Sequence, residues 1–374
     1  MMRRRFFISP LVGHLACFIL GISAQKTCSL DLSLLFAVFI STLAIVIILH
    51  LSKKGSFSTH VALQSLSVAT GALLFALQVN NYNALVQCYS GKNMDIVGSL
   101  THLEQDKIGA FKELYHITVT GIRTAPDKPW LKASFSLLVY ARQRSQLAIA
   151  DTVTITNVTI NPPASPASST SSFTTYLIKE NVITSLFLSE KNTVTRTHRP
   201  SWSVARTLWL YKNSIQHEIK KRLSRISGSM FGLIFLGNKN QESLNQLRDA
   251  FNYWGLAHYL ARSGLHIVLF VIIWSFFFKF LPLHLYIKRT MLLCLTIIYA
   301  GLSWSSISFF RAYLVFLLMQ LGALCDVIPN TLHLLSLTCL GILLFNPIQL
   351  FFLDFQLTFL LTFALLFLGT LSKQ

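Results

Sequence analysis

LSLLFAVFISTLAIVIILHL, residues 32–51, runs for twenty residues without one charged side chain. At about 1.5 Å per residue, a helix of that length crosses a hydrocarbon core of roughly 30 Å. Inside such a core every backbone polar group must find its partner within the protein, so the run has to be helical. Comparable runs follow Arg3–Arg5 at the start of the chain and recur at 60–79, 264–281, 289–305, 307–325, 331–345 and 349–371. The first run is about 17 residues long with no clear A-x-A site, and so reads as a retained span rather than a cleaved signal peptide. Only 12% of the 374 residues are charged, against roughly 25% in soluble domains. The expected class is an α-helical polytopic membrane protein.

Flanking charges orient the spans. Arg3–Arg5 and Lys53-Lys54 belong on the cytoplasmic side, and so do Lys279, Lys288 and Arg289 between two later spans. The segment after residue 80 then emerges outside the cytoplasm, as does the loop around residues 25–30. Cys28 and Cys88 fall in that same oxidising space and are the candidates for a disulfide. The other cysteines are Cys17, Cys294, Cys325 and Cys339, and none of the six has metal-ligand spacing, so no metal site and no cofactor are expected.

Between about residues 92 and 200 the pattern changes to short β-rich runs: MDIVGSLTHL, ELYHITVTGIR, WLKASFSLLVYAR and DTVTITNVTI. In the last, Val153 and Ile155 alternate with Thr152, Thr154 and Thr156, the period-two sign of a half-buried strand. The expectation is an inserted small all-β domain, a barrel or a sandwich. NPPASPASSTSS (161–172) reads as a loop. Residues 80–255 carry 20 Lys and Arg against 11 Asp and Glu, a balance suited to anionic lipid or nucleic acid. From Trp202 to Met230, Leu208, Tyr211, Ile215, Ile219, Leu223 and Ile226 recur at helical spacing among basic residues. That helix fits either a membrane surface or the flank of the β-domain. The expected domains are 1–83, 84–200, 201–235 and 236–374.

Polar residues within the apolar C-terminal part stand out because burying them is costly. His258, Arg262 and His266 are spaced by four and would form one stripe on a continuous helix, while Ser263-Gly264 would break it into a turn lining a cavity. The stripe serves either passing phosphates or contacts between helices. Arg311 and Asp354 either pair across helices or each face an aqueous path, and Gln356 reads as an interhelical hydrogen-bonder.

Four patches resemble the ComEC competence-channel family: LGNKNQESLNQLRDAFNYWGLAHYLARSGLHI (236–267), GLSWSSISFFRA (301–312), LLFNPIQLFFLDFQLTF (343–359), and DTVTITNVTINPP with FTTYLIKENV (173–182). The resemblance implies passage of single-stranded DNA through a bacterial inner membrane during natural transformation, with the β-domain periplasmic and OB-like. His258, Arg262, Ser263, Gly264, His266, Arg311, Asp354 and Gln356 become candidates for the DNA path. In an OB-like domain, bases stack on aromatics beside basic groups, which selects Arg123, Lys128, Trp130, Lys132, Tyr140, Arg142 and Arg144; Trp130 and Tyr140 are equally candidates for the core. Expected partners are the lipid bilayer, a DNA-delivery protein outside and a cytoplasmic motor, because the sequence holds no Walker A loop. The sequence ends at Gln374 with no H-x-H-x-D-H, so a short form is expected, either a homo-oligomer or completed by a partner that supplies further channel helices. Arg262 and Thr358 depart from the family pattern. A non-enzymatic channel is expected; a permease for another anionic solute, an intramembrane hydrolase at Ser263 and a non-functional remnant are the alternatives.

Overall fold

The computed structural model describes residues 10–52, 56–105, 111–125, 127–143, 145, 147–161, 172–189, 192–236, 249, 251–254, 264–303, 307–326 and 330–371. Two compact units result. One comprises Met1–Asn81, Pro282–Leu293 and Phe310–Gln374; the other comprises Tyr82–Leu281 and Cys294–Phe309.

The first unit opens with α1 (Pro10–Cys28), α2 (Leu32–Leu51) and the start of α3 (Ser56–Tyr89). All three are long and apolar enough to cross a membrane. Their hydroxyls are spent within their own helices: Ser41 donates to the Val38 carbonyl, Ser65 to Ala62 and Thr70 to Leu66. That is how the Ser- and Thr-rich run 60–79 remains compatible with an apolar surround. Helices α1 and α3 touch backbone to backbone. A Cβ on Gly21 would run into the Val68 carbonyl oxygen, and one on Gly71 into that of Phe18. Only glycine permits an approach this close, the usual basis of tight helix pairs in lipid.

Helix α3 is 34 residues long and outruns the expected 60–79 span. Its extension is amphipathic. Leu85, Val86 and Tyr89 recur on one face and pack on the β-domain core, while the Tyr82 hydroxyl donates to the Ile183 carbonyl at 3.2 Å.

The β-domain holds β1 (Asn93–Gln105), β2 (Glu113–Arg123), β3 (Leu131–Ala141), β4 (Thr152–Thr159), helix α4 (Ser172–Lys179), β5 (Val182–Phe187) and β6 (Val194–His198). They make one six-stranded sheet in the order β5-β3-β2-β1-β4-β6, with β3 and β5 parallel and the other pairs antiparallel. Bulges in β1, as at Val97/Gly98 and Leu100/His102, add twist to the sheet. Alternate residues from all the long strands, including Ile96, Ile117, Phe135, Leu137, Val139, Val153 and Ile155, fall into one buried cluster. The four strands read from the sequence are present. β5 and β6 went unread, being six and five residues long, and β6 lies mostly exposed without alternation.

Helix α5 (Val204–Arg222) carries the basic amphipathic pattern, followed by α6 (Arg225–Ile234). The first turns of α5 belong to the β-domain: Trp209 packs on its core and the Arg206 guanidinium donates to Asp151. The Asp151 side chain is fully buried, and its second oxygen accepts the Ala148 N–H at 2.9 Å. Its far end, with Lys220, Lys221 and Arg222, is exposed.

The remaining helices are α7 (Gly264–Lys279), α8 (Leu285–Ser303), α9 (Ile307–Leu324), α10 (Thr331–Phe345) and α11 (Leu353–Leu371). Of these, α8 is long and apolar enough to cross a membrane, and the others carry shorter apolar stretches. The run expected at 349–371 opens on a 3-10 turn, Pro347–Phe351, where Pro347 ends the preceding helical hydrogen-bond pattern, and α11 starts at Leu353. Gln78 of α3 braces the break, donating to Asn346 Oδ1 at 2.9 Å and accepting the Ile348 N–H at 3.4 Å. All six cysteines are free. Cys28 at the end of α1 and Cys88 in the last turn of α3, the two considered for a bridge, are exposed free thiols.

Candidate nucleic-acid interface

Two clusters on the β-domain hold the basic and aromatic candidates, and they lie at opposite ends of β3. At its start, the Arg123 guanidinium sits 4.8 Å from the Trp130 ring centre and pairs with Asp95 at 2.9 Å. Asp95 also accepts the Asn157 N–H. The Arg123 charge is therefore already matched. Trp130, Lys128 and Lys132 are exposed, which removes Trp130 from the core reading.

Tyr140 stands ten residues further on, about 30 Å along an extended strand. It stacks on Phe187 of β5 with ring centres 5.0 Å apart, and Phe111 closes the group at 5.2 Å from Phe187 and 5.7 Å from Tyr140. Arg142 is exposed and lies 5.8 Å from the Phe111 centre. Phe187 is 60% exposed, so this is an open aromatic platform rather than core. Each such ring pair contributes about 0.5–1.5 kcal/mol beyond simple burial, enough to hold the platform formed before a ligand arrives. Burial, with Glu104 adding, raises the Tyr140 phenol pKa, and burial with Glu180 and Glu104 pushes Tyr176 up to about 12. Both tyrosines remain neutral donors at any physiological pH.

A buried carboxylate fixes the ground under the platform. One Glu113 oxygen accepts the Tyr115 hydroxyl at 2.6 Å, the Ser145 N–H at 2.8 Å and the Ser145 hydroxyl at 3.0 Å. Three donors on one oxygen match an ionised carboxylate. The clamp ties the chain just after Arg142 to the chain just after Phe111. The Tyr115 phenol is shifted well above its ordinary pKa, by burial first and by the bond to Glu113 second.

Sequence reasoning missed Phe111, Phe187 and Glu113. Phe111 and Phe187 each stand outside the interleaved basic and aromatic run of 123–144, and only the β3–β5 pairing brings Phe187 to Tyr140. Arg144 lies outside the described residues.

Among the apolar-helix candidates, His258, Arg262 and Ser263 also lie outside the described residues. Gly264 begins α7, with His266 half-buried in its first turn. Arg311 and Asp354 do not pair. The Arg311 guanidinium donates instead to the Thr358 carbonyl and the Thr362 hydroxyl of α11 and lies 5.7 Å from the Phe359 ring centre, whereas Asp354 is exposed. Asp354 precedes Thr358 by a full helical turn, and the guanidinium fork meets the later turn. Gln356 is not interhelical either: it donates to the Leu350 carbonyl at 2.9 Å, closing the 3-10 turn beside it. No metal-binding group of three or more His, Cys, Asp or Glu occurs among the described residues.

Apolar helices of spanning length, joined to a β-domain with an exposed aromatic platform, define a membrane protein with a β-domain. Residues 234–374 match the family described as competence protein, which bears out the ComEC-family resemblance over that region and points to a role in competence and DNA uptake. No curated protein and no solved structure matches the chain.

Proposed function

We propose that this chain is an inner-membrane component conducting single-stranded DNA into the cytoplasm during natural transformation, and that it is not an enzyme. The carrying observation is the open Phe111–Tyr140–Phe187 platform with Arg142 at its edge. Unpaired bases stack on such surfaces for about 1–3 kcal/mol each, and a neighbouring guanidinium meets the phosphates. A β1-β2-β3 meander, with β4 returned to β1 and β5 parallel to β3, supports an OB-like reading of the domain. The flanking charges of the spans support its position outside the cytoplasm.

On this reading, a DNA-delivery protein outside presents the strand to the platform and a cytoplasmic motor draws it inward. Exposed apolar side chains on α2, α7 and α11 suit a lipid surround.

The test is uptake of fluorescent DNA in a strain lacking the chain, supplied back with the wild type or with Tyr140→Ala/Phe187→Ala. Wild type restores cytoplasmic entry. The double variant, at equal abundance, loses at least about tenfold, the equivalent of one lost stacking contact. Entry that never depends on the chain, or full entry with the double variant, overturns the reading.

A further inference from the structure

Beside the platform, between β5 and the end of β4, lies a cleft of ≈ 600 Å³ lined by Asn157, Thr159, Asn161, Phe173, Ser185 and Phe187, among others. We infer that this cleft is a base-reading subsite: it takes an unpaired base of the strand whose neighbour stacks on the platform. The inference rests on the single-stranded DNA reading above and adds base preference to it.

Three observations carry it. Among the described residues that line it none is charged, although the chain has a formal net charge of +18. A phosphate gains nothing inside, whereas a neutral group rich in hydrogen-bonding edges does. Two aromatic rings suit a flat ligand: Phe187, at 60% exposure, is shared with the platform, and Phe173, at 42%, is a second lining ring. The frame is also set in advance. Asn192 Oδ1 accepts the Ser189 N–H and hydroxyl, Asn192 Nδ2 donates to the Asn157 carbonyl at 2.7 Å, and the Thr184 hydroxyl donates to the Asn161 carbonyl at 2.6 Å. These bonds hold Ser189, Asn192 and the Asn161 backbone in place, with Asn161, Thr159 and Ser185 lining the space.

The chemistry separates this site from the platform. Stacking is tolerant of sequence because every base has a π-face. Hydrogen bonding to the base edge distinguishes bases: thymine offers a carbonyl acceptor at its 4-position and an N3–H donor, and cytosine offers an amino donor there and an N3 acceptor. The set of bonds that Thr159, Asn161 and Ser185 can complete differs between the two, which favours one of them.

The experiment measures binding of fluorescent dT15 and dC15 to the full chain in nanodiscs, at one salt concentration. The wild type is expected to prefer one of the two by at least about threefold. Asn161→Ala/Ser185→Ala, on a platform left intact, is expected to bring the two affinities within a factor of about 1.5. Phe173→Leu, which reshapes a cleft wall and leaves the platform untouched, is expected to weaken the favoured oligonucleotide more than the other. Equal wild-type affinities, or a preference that survives both variants, overturn the subsite while sparing the DNA reading. Failure of the wild type to bind either oligonucleotide overturns both.

Discussion

The β-domain buries one guanidinium and the apolar helices half-bury another, and the two are matched in different ways. Arg206 meets a full countercharge, Asp151, which is itself entirely enclosed and holds a second hydrogen bond from Ala148. Among the described residues Arg311 meets no anion: it takes a backbone carbonyl, a hydroxyl and a ring face. In the β-domain the charges are interdependent, since either one alone would be stranded in a dry core. In the helices the acceptors are already satisfied, because Thr358 and Thr362 lie one helical turn apart and the Thr362 hydroxyl also donates to the Thr358 carbonyl. Arg311 therefore adds a pin between α9 and α11 without becoming a dependency.

The largest expected effect tests the interdependent side. Asp151→Ala leaves Arg206 buried without its anion and should cost the β-domain about 3–5 kcal/mol, read from chemical denaturation of the chain followed by tryptophan fluorescence. A loss below about 1 kcal/mol would mean that Arg206 escapes to water and that the pair is no keystone.

A middle-sized effect comes from pH. The folded-state pKa of Tyr115 is raised, so its contribution is complete below the ordinary tyrosine value of about 10 and is lost as pH rises beyond it. β-domain stability should thus fall above pH 10, with Tyr176, pushed up to about 12, adding its own loss between those two values. Tyr115→Phe should make that fall shallower. An alkaline profile identical to wild type would show that the Glu113 clamp does not govern it.

The smallest effect is expected at Arg311. Arg311→Met removes the pin, strands no partner and keeps an apolar stem, so thermal stability in detergent should move by no more than about 1 kcal/mol. DNA entry at equal abundance should then tell a packing role from a role in the path. A collapse of stability as large as that of Asp151→Ala would erase the contrast between the two regions.

The same contrast explains what the sequence made legible. Apolar length and strand alternation are local, and they revealed the helices and the four long strands. The long-range pairings were hidden. Arg206 and Asp151 are separated by 55 positions, and Arg311 and its Thr362 hydroxyl acceptor by 51, so no spacing rule joins them. The charge of Asp354 drew attention away from Thr358 and Thr362, which look inert in a row of leucines and phenylalanines. The platform was half legible: Tyr140 and Arg142 stand in a visibly mixed run, while Phe111 and Phe187 come to them only through sheet pairing. The 3-10 break was announced by Pro347, yet its brace, Gln78, lies in another helix.

For heredity, the contact between α1 and α3 carries its own consequence. At Gly21 and Gly71 the usable alphabet shrinks to one letter, because even alanine's methyl would fall inside the opposing carbonyl. The broad lipid-type surface of α2, where only Leu35 is buried, accepts most apolar spellings. Neutral drift in a lineage carrying this gene is therefore free to rewrite α2 almost letter by letter, while any missense change in either glycine codon becomes a visible event.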